Sequence, residues 1–174
     1  MRRQLLSAIL LMLLFAGCAG TQPYENRVKG FSTLQPAGWT AYEDEMRVVF
    51  TPMNGQEGQI AVMSVYSNET VSLDNLSRTM ALRLAPLQRD NSLVSQTTRP
   101  RNVSGEPALE QAIRLRQPVN GTSKESFERF VYLKKGGRYY IIFLVFSPQD
   151  QGGWQRQSEF ENAFDAVVSN FKII

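Results

Sequence analysis

The stretch from Tyr139 to Phe146, YYIIFLVF, is apolar at every position. A β-strand sends successive side chains to opposite faces, so a strand of this composition has to be buried on both of them. It belongs inside a sheet that is covered on two sides, which excludes a bare hairpin or a sheet with one face in water. Gly136-Gly137 supplies a turn before it, Phe127 to Lys134 reads as its hairpin partner, and Pro148 ends the run.

The rest of the chain supplies neighbours for that strand. Phe31 to Leu34 reads as a short strand, Pro36-Ala37-Gly38 as a turn, and Trp39 as the start of a second strand. RVVFTP, from Arg47, makes a third, stopped by Pro52, and QIAVMSVYS, ending at Ser67, makes a fourth. At Ser72 the period changes. Leu73, Leu76, Met80 and Leu84 form one helical stripe behind a Ser72 N-cap, and Pro86 ends or kinks it. Leu93 to Val103 and Ala108 to Val119 form a hairpin around the turn SGEP. In the last segment Phe160, Phe164, Val167 and Phe171 share a helical face, Ser158 and Glu161 match a capping box, and the helix starts as early as Trp154. The order is β-β-β-β-α-β-β-β-β-α. It predicts an α+β domain built as an α/β/α sandwich: a mostly antiparallel sheet with one main helix on each side.

The N-terminus has a different character. Met1-Arg2-Arg3-Gln4 precedes an apolar run from Leu5 to Phe15, interrupted only by Ser7. A positive end, about 7–15 apolar residues and then small residues is the layout of an export signal; a helix that spans a bilayer needs about 20 apolar residues. Ala16, Gly17 and Cys18 follow, and Cys18 is the only cysteine in the chain. The run resembles the lipobox of bacterial lipoproteins, with Phe15 where leucine is usual. That resemblance implies lipid attachment at Cys18, which becomes the new N-terminus after cleavage. The other reading is ordinary cleavage after Ala19, which discards Cys18 and releases a soluble product. Under the first reading residues 1–17 are the signal, 18–29 a polar tether and 30–174 the domain. Ala19, where an aspartate would signal inner-membrane retention, implies an outer-membrane anchor facing the periplasm of a Gram-negative cell.

Composition removes several function classes. The 19 Lys and Arg face 16 Asp and Glu, and Arg2 and Arg3 belong to the signal, so the 157 residues after it carry a net charge of only +1. That is no footprint for nucleic acid. The chain has no histidine, which excludes Ser-His-Asp and Cys-His nucleophile systems and histidine-bearing zinc sites. With the one thiol acylated or removed, no cofactor or metal is expected and no catalytic residue is assigned.

FSTLQPAGW resembles the opening strand and Pro-x-Gly-Trp turn of PsbP-like, Mog-type and DcrB-type domains. The likeness continues through RVVFTP, the Ser72-Leu73 helix start and GGRYYIIFLVFSP, and ends in VVSNFKI, similar to a terminal Ser-x-Phe element, with Asn170 between Ser169 and Phe171. It covers Val28 to Ile174. The resemblance implies an α/β/α sandwich and a largely non-catalytic role, since PsbP-like proteins are accessory subunits at photosynthetic membranes, Mog-type proteins bind a small GTPase, and DcrB-type proteins are envelope lipoproteins or chaperones for hydrophobic segments. Fold alone does not assign function.

Four arginines are the candidate interaction site. With a turn at Ser104 to Pro107, Arg101 would face Glu110, Arg99 would face Ala112, Thr97 would face Arg114 and Ser95 would face Arg116, placing Arg99, Arg101, Arg114 and Arg116 on one sheet face. Guanidiniums so grouped could grip phosphates or carboxylates of a lipid head group or acidic partner; the competing reading is a solvated face with a cross-strand ion pair. Glu43-Asp44-Glu45 reads as a hairpin turn, since its spacing does not match a calcium loop. Trp39, Tyr42, Tyr139, Tyr140 and Trp154 read mainly as core or rim packing. The expected function is a periplasm-facing outer-membrane lipoprotein that binds an envelope protein partner and catalyses nothing; the alternative is a carrier or chaperone holding an apolar segment or lipid in a groove.

Overall fold

The computed structural model describes residues 20–53, 57–66, 92–119, 122–150 and 152–174, together with Ser72, Leu73, Asn75, Arg78, Ala85, Pro86, Arg89 and Asp90. Ten strands and one long helix are defined among them: β1 Gln22–Asn26, β2 Phe31–Gln35, β3 Trp39–Glu43, β4 Arg47–Pro52, β5 Gly58–Tyr66, β6 Leu93–Val103, β7 Glu106–Val119, β8 Thr122–Lys135, β9 Arg138–Phe146, α1 Gln157–Ser169 and β10 Lys172–Ile173. Seven strands make one antiparallel sheet in the order β3-β4-β5-β9-β8-β7-β6, and β1-β2-β10 make a small second sheet. The apolar strand β9 is the middle strand of the seven, inside the sheet as its composition requires. Tyr140, Ile142, Leu144 and Phe146 face one way into the main core with Phe160, Phe164 and Val167 of α1. On the reverse face Ile141 and Phe143 pack against a second cluster with Phe130, Tyr132 and Leu73.

Leu73 marks where the first helix was expected. That helix, over Leu73 to Leu84, lies mainly outside the described residues, and within them the Ser72 hydroxyl accepts the Asn75 amide at 3.2 Å. The main sheet is therefore covered on one face by α1 and the small sheet, and on the other Leu73 is the described contact from that segment.

Two strands escape the sequence pattern. Gln22–Asn26, expected in the tether, is a strand paired residue for residue with β2, so the ordered chain starts well before Gly30. Its sequence QPYEN is polar, yet Tyr24 meets Phe50 edge-on at 5.2 Å and Asn26 donates to Glu43 Oε2 at 2.7 Å. At the other terminus α1 ends at Ser169, so Phe171 is not on the helix; it enters the core from the turn that leads to β10. The expected capping box is also displaced. Ser158 lies inside α1, which is entered through a 3-10 turn over Gly152–Arg156, and Asp150 Oδ1 accepts the Gly153 amide at 2.9 Å to cap that turn.

The registers define two ends of the molecule. Gln22, Gln35, Trp39, Pro52, Gly58 and Phe146 share one end, joined there by hydrogen bonds from Met53 N to Gly38 O at 3.0 Å and Ser147 N to Glu57 O at 2.7 Å. Asn26, Glu43, Tyr66 and Arg138 lie at the other. Next to that second end Tyr24 donates to Glu43, and burial first, then the Glu43 carboxylate, push its phenol up to about 12. Glu43→Gln should bring the Tyr24 titration only part of the way back toward 10, because burial remains; ¹³C-tyrosine NMR reads this directly.

Candidate functional site

The candidate arginines are positioned by three long strands. Alternation along β6, β7 and β8 sends Thr97, Arg99, Arg101, Glu110, Ala112, Arg114, Arg116, Phe127 and Arg129 to the face on which α1 lies. The β6–β7 register is two residues away from the one expected. Arg99, not Arg101, stands opposite Glu110; Arg101 faces Ala108, Thr97 faces Ala112 and Ser95 faces Arg114. The loop is the reason. It is a two-residue turn at Ser104-Gly105 with φ of 57° and 81°, both in the left-handed region that such hairpins require, and Asn102 Oδ1 braces it by accepting the Gly105 amide at 3.1 Å. A slip of two residues keeps every side chain on its face, so all four arginines still share one. The same alternation places Pro100 and Pro107 in the non-hydrogen-bonded pairs Pro100–Leu109 and Asn102–Pro107, where a missing N–H breaks no rung of this ladder.

Once on that face the arginines separate into distinct settings. Arg99 Nε and Nη2 bond Glu110 Oε2 at 3.2 and 3.1 Å, and Arg101 bonds the same oxygen at 2.8 Å and Asp165 Oδ1 at 3.3 Å. Arg114 bonds Gln157 Oε1 at 2.9 Å and stacks 4.6 Å from the Trp154 ring centre. Arg116 grips Glu125 Oε1 through two nitrogens at 2.8 and 2.6 Å. Three of the four thus have a carboxylate of the chain itself as partner, so the grouping is far less cationic than the strand pattern alone suggests.

The centre of the cluster is a residue that sequence reading passed over. Arg129 is 5% exposed and Glu110 3%. Arg129 Nε reaches Glu110 Oε1 at 3.1 Å, and its Nη1 and Nη2 reach Asp165 at 3.2 and 2.9 Å, while its guanidinium lies 4.7 Å from the Phe164 ring centre. The signal was present: Phe127, Arg129, Val131 and Leu133 alternate on one face of β8, and a charge within an inward-facing series has to find a partner. Burial alone would raise the Glu110 pKa, but the hydrogen bonds from Arg129 and Arg101 outweigh it and hold the carboxyl below its usual range. At neutral pH Glu110 is a fixed anion, unsuited to giving and taking protons.

Between α1 and the β6–β8 ledge lies an open groove of about 510 Å³, lined among others by Thr97, Arg99, Glu110, Arg129, Ser158 and Asp165. Its walls offer hydroxyls, guanidiniums and carboxylates, a surface for hydrogen bonding and charge matching. Glu43-Asp44-Glu45 is used inside its own hairpin: Asp44 binds the Arg47 guanidinium at 2.6 Å and the Met46 and Arg47 amides at 3.0 and 2.9 Å. Trp39, Tyr139 and Tyr140 are buried and Tyr42 is exposed.

Comparison with solved structures bears on the architecture. The cyanobacterial PsbP protein, CyanoP, of Synechocystis superposes with a TM-score of 0.57 over 91% of this chain and 95% of its own, at 17% identity. The Saccharomyces cerevisiae Ran-binding protein Mog1p does so with a TM-score of 0.57 over 88% of this chain and 95% of its own, at 12% identity. The chain has the PsbP/Mog1-like fold. No protein-family model matches the sequence, and no curated protein matches it. At these identities the likeness is one of shape.

Proposed function

We propose that this chain is an outer-membrane lipoprotein whose PsbP/Mog1-like domain faces the periplasm and serves as a non-catalytic, protein-binding accessory module of the cell envelope. Diacylglycerol on Cys18 holds it at the membrane. The observation that carries this reading is the succession Leu5 to Phe15, Ala16-Gly17-Cys18 and then, after only three further residues, the first strand at Gln22. A lipid at Cys18 would confine a compact domain to the membrane surface, which raises its effective concentration toward membrane-bound partners. The fold supports the binding role by analogy: Mog1p is a Ran-binding protein. The groove beside α1 supports a polar macromolecular partner over the carrier reading, because guanidinium and carboxylate groups line it where an apolar segment would need a dry wall.

Mass analysis of the mature chain, followed by affinity capture from detergent-solubilised membranes, tests both halves. The expected N-terminal peptide begins at Cys18 and carries acyl chains, and the lipidated chain retains a protein partner at a fixed stoichiometry that Cys18→Ser reduces. A mature chain that begins at Gly20 without acyl groups overturns the anchor. A lipidated chain that retains no protein overturns the binding role.

A further inference from the structure

Building on that anchor, we infer that the end of the domain bearing Trp39, Met53 and Trp154 rests against the lipid surface, while the Tyr66 end points away from it. The reach of the chain limits the alternatives. Gln22 pairs with Gln35, whose side-chain amide donates to the Trp39 carbonyl, so β1 enters the fold at the Trp39 end. Four Cα steps separate Cys18 from Gln22, which is at most about 14 Å of extended chain. The Tyr66 end lies the length of β9 farther on, nine residues, or roughly 30 Å at about 3.4 Å per residue. A tether this short cannot bring that end to the bilayer without turning the Gln22 end away from its own attachment.

The chemistry of the Trp39 end suits a lipid surface. Met53 is 64% exposed and edges a cleft of about 480 Å³ with Thr51, Pro52, Gly58 and Ser147. A second cleft of about 600 Å³ at the same end is lined by Arg116, Lys124, Pro148 and Trp154. A thioether and an indole tolerate the boundary between acyl chains and head groups, and long cationic side chains can extend beside them toward phosphates. Among the described residues of this end, Arg116 is paired with Glu125 and Arg156 with Glu57 at 3.1 Å, so these four charges offset one another in pairs. At the opposite end Tyr66 stands exposed, with the Arg138 guanidinium 3.9 Å from its ring centre. Val28 and Met46 are exposed close by, joined through Ser64, which bonds Lys29 O at 3.1 Å and Met46 O at 3.2 Å. In this orientation that apolar patch faces the periplasm.

Acylation consumes the one native thiol, so Met53→Cys or Tyr66→Cys gives the lipidated full chain a single free sulfhydryl. A nitroxide attached there is read in phosphatidylethanolamine–phosphatidylglycerol vesicles doped with a nickel-chelating lipid. The expected result is relaxation several-fold faster for the label at position 53 than at position 66. Equal relaxation, or faster relaxation at 66, in a chain whose mass shows the acyl groups overturns the orientation and leaves the anchor standing. A mass without acyl groups overturns the anchor and the orientation with it.

Discussion

Arg129→Leu should destabilise the domain by about 3–5 kcal/mol, the range for removing one partner of a buried ion pair. Glu110, 3% exposed, would keep only Arg101, which is partly exposed, and Arg99, which is 67% exposed. The loss is chiefly that of a carboxylate left in a low-dielectric site with its best donors removed. Arg99→Leu, acting at an exposed side chain bound to the same oxygen, should cost under about 1 kcal/mol. Converting Glu110 and Arg129 together to Leu should recover much of the loss, because paired hydrophobic replacement of a buried ion pair is often near neutral. Urea unfolding of the three variants measures the series.

The pH dependence has a definite sign. In the folded state the Glu110 pKa lies below its ordinary value of 4.5, so its stabilising contribution is fully present above that value and is lost as the pH falls through the lower folded one. The deficit of Arg129→Leu relative to the parent should therefore be largest near neutral pH and shrink below about pH 4, where Glu110 takes up a proton and no longer needs a cation. A deficit that is constant with pH would mean that Arg129 acts by packing on Phe164 rather than by charge.

What the sequence made legible follows from how strongly each segment's pattern is constrained. YYIIFLVF placed β9 in the interior of the sheet because an edge strand, or a sheet with one face in water, would leave half of its side chains exposed. The β6–β7 hairpin was legible in its face but not in its rung, since period-two alternation is blind to a slip of two residues and only the φ values at Ser104 and Gly105 decide between registers. β1 was hidden because its stabilisation is tertiary: Tyr24 and Asn26 reach Glu43, 19 and 17 residues away, and nothing in QPYEN announces that. The polar start of β8, Thr122 to Ser126, was missed for a related reason. It pairs only with Leu115 to Val119 of β7, beyond the end of β9, so it carries no apolar face to betray it. The cationic cluster was half legible: four arginines on β6 and β7 could be counted, but the carboxylates that pair with three of them, Glu110, Glu125 and Asp165, lie on three different elements.

Phe171→Ala should cost about 3–5 kcal/mol, as for other large core aromatics cut to alanine. Helical spacing from Phe160, Phe164 and Val167 makes Phe171 look like one more turn of the same stripe, yet α1 has stopped at Ser169, with the Asn170 amide still bonded to Ala166 O at 3.2 Å. The ring is 1% exposed. It stacks on Phe31 at 5.4 Å and meets Tyr140 edge-on at 5.3 Å, while the Tyr140 hydroxyl donates to Gly30 O at 2.9 Å. It thus fills the space where the small sheet, the end of α1 and the central strand β9 converge. Its removal leaves a cavity with rigid walls, and the two-residue strand β10, whose neighbour Ile174 N donates to Gly30 O at 3.1 Å, loses the side chain that holds it down. The expected signature is a global loss of stability together with a selective rise in hydrogen exchange at Ile174, larger than that at the β5–β9 rungs. Phe171→Leu, which keeps most of the volume, should cost under about 1.5 kcal/mol, and Ile174→Ser at the exposed terminus should fall within about 0.5 kcal/mol of the parent. If Phe171→Ala proved as mild as Ile174→Ser, the small sheet would be attached by its backbone ladder alone and the aromatic junction would have no structural role.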